Sequence, residues 1–189
     1  MPPNPDRVPR LRLTHLGMFV RDLEPMAAFY KEVLGFVETD RGPAHGFFVV
    51  FLTRDPQVHH QLVLSTGRPE TSGPTHAVQQ ISFRVDALDD LRAMHRIVSA
   101  RGDVSEIRPR DHGNAWSLYF RDPELNRIEI YLDSPWHVAQ PRHTELDLSL
   151  SDDEIRRRTH ERIAGDPTCK PMAAWHREQE EKLRAHGLG

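Results

Sequence analysis

Apolar residues recur first with the period of a strand, then with that of a helix, and the chain runs through this order twice. Leu11 to Val20 predicts a strand with Leu16, Met18 and Val20 on one face and Leu13, His15, Gly17 and Phe19 on the other. Asp22 is placed to cap a helix in which Met26, Phe29, Tyr30, Val33 and Leu34 share a side, and Gly35 ends it. Phe47–Leu52 predicts an apolar strand, Arg54-Asp55-Pro56 a turn, and His60–Leu64 a returning strand. Residues 11–66 therefore read as a β-α-β-β-β module. It is preceded by a flexible arm (1–10) with four prolines and followed by a Gly/Pro-bearing linker (67–77).

Residues 78–133 repeat the module. Val78–Val85 predicts a strand with Ile81, Phe83 and Val85 opposite Gln80, Ser82 and Arg84. Asp86 opens a helix with Leu88, Leu91, Met94 and Val98 inward, and Gly102 ends it. His112–Leu132 then reads as a hairpin about Arg121-Asp122-Pro123-Glu124-Leu125-Asn126, with Pro123 setting a turn φ and Asn126 tolerating a left-handed conformation. In its first strand Tyr119 and Ser117 oppose Leu118 and Phe120; in its second, Arg127, Glu129 and Tyr131 oppose Ile128, Ile130 and Leu132. Glu129 is thus a carboxylate in a strand with an apolar opposite face, which calls for a partner. HLGMFVRDL from His15 superposes in pattern on QISFRVDAL from Gln80, and RDPQVHHQLVL from Arg54 on RDPELNRIEIYL from Arg121. A repeat of roughly 65 residues whose units cannot bury a sheet face alone implies an α+β fold, two tandem βαβββ modules in a cupped mixed sheet. The repeat makes His15 equivalent to Gln80 and His60 equivalent to Glu129. All four fall on the face away from the helices, converging on one concave cavity.

A net charge of −3 advertises no surface for nucleic acid, and no apolar run approaches a membrane span. With no hydrophobic signal region and a single cysteine, Cys169, a cytoplasmic protein is expected. Twelve histidines make a metal or proton-transfer site worth seeking.

Residues 11–133 resemble the vicinal oxygen chelate superfamily of glyoxalase I, bleomycin-resistance proteins and type I extradiol dioxygenases. The resemblance is carried by His15-Leu16-Gly17 with Asp22-Leu23, by Phe29-Tyr30 with Leu34-Gly35-Phe36, and by Tyr119-Phe120-Arg121-Asp122-Pro123-Glu124, Asn126 and Glu129. The arrangement is most similar to the catalytic half of an extradiol dioxygenase. That likeness implies a divalent metal, Fe(II) or as second choice Mn(II), that binds both oxygens of a small aromatic diol and O2. It puts the first-strand ligand at His15, the last-strand carboxylate at Glu129, the acid–base histidine at His60 and a substrate-contacting tyrosine at Tyr119. His112 lies near a further active-site histidine. Two positions depart: Gln80 stands where a second histidine ligand is usual, and Leu125 where a glycine is usual. Either Gln80 or His60 would be the third ligand, and Arg84 would hold a negative substrate group or pair with Glu129.

Ring cleavage of a catechol-like diol is the reading taken. A glyoxalase-type isomerase or lyase with His15, His60, Gln80 and Glu129 all on the metal is the second, and a metal-free binding module the third. A homodimer is expected, as the resembled family often pairs or swaps its units. Residues 134–189 read as an extension. Ser151-Asp152-Asp153-Glu154 is a capping box for a helix to about Ala164 with Ile155, Thr159 and Ile163 inward. Met172–His186 is a second, charged helix, with Trp136 and Trp175 as anchors.

Overall fold

The computed structural model describes residues 12–44, 46–69 and 78–186; the N-terminal arm and most of the predicted linker lie outside these. The elements follow the β-α-β-β-β order twice. They are β1 (Leu16–Val20), α1 (Leu23–Leu34), β2 (Val37–Ala44), β3 (Phe47–Thr53) and β4 (Leu62–Thr66), then β5 (Ile81–Arg84), α2 (Leu88–Ser99), β6 (Ser105–Asp111), β7 (Ala115–Arg121) and β8 (Arg127–Asp133). The short strands β9 (Trp136–His137) and β10 (Thr144–Glu145), helix α3 (Asp152–Ile163), strand β11 (Lys170–Pro171) and helix α4 (Met172–Ala185) complete the chain.

One sheet runs β1-β4-β3-β2 and the other β10-β6-β7-β8-β5, so without β10 the second repeats the order of the first. The expected fold class is the one observed. β2 and β6 escape the apolar alternation because VETDRGPA and SEIRPRD are polar. β2 is an edge strand, where charge guards unpaired backbone. β1 begins at Leu16 and β4 at Leu62, later than predicted, so His15 and His60 each precede a strand.

Contacts divide the chain into two compact units. One comprises Thr14–Arg108 with Leu118–Ile130; the other comprises Pro109–Ser117 with the region from Tyr131 onward.

In the first unit β1 pairs parallel with β4, and β3 pairs antiparallel with both β4 and β2. Register puts Val20, Leu62, Leu64, Val50 and Leu52 on the buried face, where α1 contributes Met26, Phe29, Tyr30 and Val33. Gly17 and Phe19 of β1 lie in line with Val63 and Ser65 of β4, on the opposite face. Gly35 closes α1 at φ 67°, a conformation that a Cβ penalises. α2 starts one residue later than predicted: Ala87 is its N-cap, Asp90 accepts from the Ala87 N–H at 3.1 Å, and the right-handed Ala100 rather than Gly102 ends it. Asp22 sits at the N-cap of α1, but its side chain makes no cap bond. Instead Glu124 Oε1 accepts from the backbone N–H groups of Arg21 (2.6 Å) and Asp22 (2.9 Å).

Glu124 belongs to the turn between β7 and β8, which Asp122 organises. Asp122 Oδ1 accepts from the backbone of Glu124 and Asn126, and its Oδ2 from Asn126 Nδ2 and the Tyr30 hydroxyl. Burial pushes the Asp122 carboxyl above its usual range, against the hydrogen bonds from Asn126, Tyr30 and Glu124 that favour its ionised form. The left-handed residue of this turn is Leu125, at φ 67°, and not Asn126 as the sequence suggested.

In the second unit α3 buries Ile155, Thr159 and Ile163, as its spacing predicts. The Ser151 hydroxyl accepts from the Glu154 N–H, but Glu154 does not complete a capping box; its carboxylate pairs with Arg157 and Arg158. Thr159 carries the docking. Its hydroxyl accepts from Trp116 Nε1 at 2.8 Å and donates to Asp111 Oδ2 at 2.5 Å, while Arg162 pairs with the same Asp111 oxygen. Gly113, at φ 83°, is required here, since a Cβ would come within 2.8 Å of Val138 and 3.0 Å of Ile163. The expected anchors Trp136 and Trp175 stack on His160 and His137, but the buried tryptophan is Trp116. α4 buries no residue.

Two stability changes follow. Leu125 is 56% exposed, so Leu125→Gly relieves the left-handed strain at little packing loss and should stabilise by on the order of 1 kcal/mol in denaturant unfolding. Thr159→Val keeps volume but orphans the Trp116 N–H and one Asp111 contact. It should cost about 2 kcal/mol, read by hydrogen-exchange protection in α3.

Candidate metal and substrate site

The residue before β1 is His15 and the residue before β5 is Gln80, so the two stand at matching positions of the repeat. The His15 and His60 rings are brought together, with centroids 4.4 Å apart at 53°. His60 is held by packing against Phe51 (5.0 Å) and by its neighbour His59, whose Nδ1 is 2.9 Å from His60 Nδ1. His59 Nε2 in turn lies 2.9 Å from Asp40 Oδ2. Burial is the main cause that lowers the His60 pKa below the ordinary imidazole value; the proximity of His15 and then His59 adds to it. These causes all favour the neutral form of the ring.

Glu129 is 8% exposed, and the structure answers what it is paired with. Oε2 accepts from Ser82 Oγ (2.5 Å) and Gln80 Nε2 (2.9 Å), and Oε1 from the Tyr119 hydroxyl (2.5 Å). Arg127 lies over the Tyr119 ring at 5.9 Å. The structure thus brings together Gln80, Tyr119 and Glu129 in one cluster, and His15 with His60 in another. Ser82 was not singled out from sequence, although alternation places it on the face of Gln80. Nor was His59, the residue just before the predicted returning strand. His112 belongs to the other unit: its Nδ1 is 2.5 Å from the Arg142 carbonyl and its own carbonyl accepts from Gln140.

The donor set of two imidazoles, a buried carboxylate and an amide fits a divalent first-row metal in kind. Among the described residues, however, no three His, Cys, Asp or Glu side chains form a group that could hold an ion. A metal at this site would draw on the Gln80 amide oxygen beside His15 and Glu129, or on a shift of His60. A cavity of about 440 Å3 lies elsewhere, lined by Val33, Leu34, Arg54, Phe83, Arg84 and Met94 among others; of the candidate site residues it holds Arg84 but none of the proposed ligands.

A family model described as the glyoxalase/bleomycin resistance protein/dioxygenase superfamily matches residues 12–130. Two Rhodococcus globerulus proteins are similar in sequence. Biphenyl-2,3-diol 1,2-dioxygenase 3 is 31% identical over 65% of this chain and 64% of its own length. Biphenyl-2,3-diol 1,2-dioxygenase 2 is 27% identical over 65% and 63%. The matched region thus spans less than two thirds of either relative. A glyoxylase/bleomycin resistance protein/dioxygenase domain from Frankia sp. EAN1pec shares the fold at a TM-score of 0.57 and 23% identity, over 66% of this chain and 93% of that one. The fosfomycin resistance protein FosX of Listeria monocytogenes, complexed with Mn(II) and sulfate, does so at 0.51 and 17%, over 65% and 93%.

Because its folded pKa is depressed, His60 should titrate below the ordinary imidazole range in a proton NMR pH series. His15→Ala should raise the midpoint only in part, since burial remains. The sign for stability follows: the unfolded chain binds the proton first, so this group's contribution is lost as pH falls from the unfolded value toward the folded one.

Proposed function

From a chain that belongs to the glyoxalase/bleomycin resistance protein/dioxygenase superfamily, we propose a metal-dependent, extradiol-type dioxygenase that cleaves a catechol-like aromatic diol with O2. The observation that carries the reading is the buried Glu129 carboxylate, hydrogen-bonded by Tyr119, Ser82 and Gln80; the separate contact of His60 with His15 supports it. The relatives named for biphenyl-2,3-diol oxidation support it.

His15 and Glu129, with Gln80 or His60 as the third donor, would hold Fe(II), or Mn(II) as second choice. When bound, such an ion supplies a positive centre that gathers the diol oxygens and O2 and passes charge between them. The remaining roles belong to the chain. His60 takes a proton from the diol, for which a neutral imidazole is suited. Tyr119 and Ser82 fix the orientation of the Glu129 carboxylate, and Tyr119 would serve a developing negative oxygen only by giving up its bond to Glu129. A cytoplasmic homodimer, acting without nucleic acid or membrane, completes the proposal; no described helix is long and apolar enough to cross a membrane.

A second reading is a glyoxalase-type isomerase or lyase, and one feature favours it. Gln80 occupies the position equivalent to His15 and lies beside Glu129, so an amide joins the ligand set in place of an imidazole.

The test is metal analysis of protein purified without chelator, then anaerobic Fe(II) loading and oxygen uptake with a panel of catechols. About one Fe or Mn per chain with uptake and a yellow product is expected. Bound metal without uptake would favour the isomerase or lyase, and no metal after loading a binding module. Glu129→Ala should abolish metal binding, since the carboxylate is the formal charge among the donors. His60→Ala should lower turnover on the order of 10²-fold with metal retained; loss of metal instead would make His60 a ligand.

A further inference from the structure

The contacts around His60 define more than its position. An ionised carboxylate only accepts hydrogen bonds, so the 2.9 Å contact from Asp40 Oδ2 requires the proton of His59 on Nε2. A neutral imidazole carries one N–H, which leaves a lone pair on His59 Nδ1. The 2.9 Å contact between His59 Nδ1 and His60 Nδ1 then needs its hydrogen from His60. His60 in turn is left with its lone pair on Nε2. We propose that Asp40 and His59 are positioning residues that fix His60 as the Nδ1–H tautomer, so that Nε2 is the nitrogen free to accept a proton or bind a metal. The usefulness of that lone pair rests on the function proposed above.

A feature of the backbone sets Asp40 in place. Glu38 pairs with Leu52, but Asp40, not Thr39, pairs with Phe51, so β2 carries one extra residue at this point. In continuous register Asp40 would stand opposite Val50, on the face buried under α1. The bulge instead brings Asp40 in line with Phe51, whose ring touches both histidines, at 5.6 Å for His59 and 5.0 Å for His60. Bulges re-aim side chains in this way next to functional sites. The flanking positions anchor it, as Thr39 Oγ1 donates to the Phe51 carbonyl and Glu38 is bound by Lys31 and Arg41. A free histidine side chain in water prefers the opposite, Nε2–H tautomer, so the device changes which nitrogen is available.

Long-range 1H–15N correlation spectra of the full 15N-labelled chain read the tautomer directly. At about pH 8.5, some two units above the ordinary imidazole pKa, titration does not intervene. The His60 signals are identified by their loss in His60→Gln. In the native chain His60 should show a protonated Nδ1 and a lone pair on Nε2. His59→Phe, which keeps a ring against Phe51, and Asp40→Ala should each move His60 toward Nε2–H. A native Nε2–H tautomer, or a tautomer unchanged in His59→Phe, would overturn the proposal; one unchanged only in Asp40→Ala would remove Asp40 from it. The spectra do not depend on turnover, so a chain inactive toward every diol would refute ring cleavage and leave this result standing.

Discussion

The turn from Arg121 to Asn126 is the constraint on which the site unit depends. Its carboxylates are buried, and beyond the bonds that close the turn itself they tie the second module to the first. Asp122 receives the Tyr30 hydroxyl from α1, Glu124 receives the backbone at the start of α1, and Arg68, beyond the end of β4, reaches both Glu124 (3.0 Å) and Asn126 (3.1 Å). The Arg68 and Glu124 side chains are 6% and 8% exposed. An ion pair this buried is stable only when further hydrogen bonds satisfy both groups, and breaking one side leaves an uncompensated charge at a cost of about 3–5 kcal/mol. The negative end at the first turn of α1 also suits the helix dipole. β8 starts directly after this turn, so Glu129 inherits its placement from the lock that positions β1 and hence His15.

The same economy of buried polar contact holds the extension. α3 has a thin apolar stripe and a highly charged remainder, which would not hold a helix in water. Beside the buried Ile155 and Ile163, one threonine hydroxyl shared between Trp116 and Asp111 fastens it, with Arg162 on the same carboxylate. Within the site, Glu129 is likewise stabilised by neutral donors, three of them from Gln80, Ser82 and Tyr119, and a carboxylate so held is oriented before any ligand arrives.

Much of this was legible in the chain. The two-fold repeat, the buried faces of α1, α2 and α3, and the matching of His15 with Gln80 follow from alternation and helical spacing, because burial of one face leaves a periodic mark. The strands β2 and β6 left no such mark, being mostly polar and without apolar alternation. His60 was assigned to a strand that begins two residues later, and the left-handed turn residue was sought at Asn126 when Leu125 holds it, since side-chain preference is overridden where Asp122 draws in the backbone of Glu124 and Asn126.

The sequence by itself therefore determined the repeated fold and the equivalence of His15 with Gln80, since both depend on local periodicity. Only the tertiary structure decided partners. That Glu129 is met by Gln80, Ser82 and Tyr119, that His60 lies against His15, and that a one-residue bulge turns Asp40 toward His59 depend on register between strands distant in sequence. A shift of one residue there exchanges the two faces of a strand, and no composition or spacing along a single segment records it.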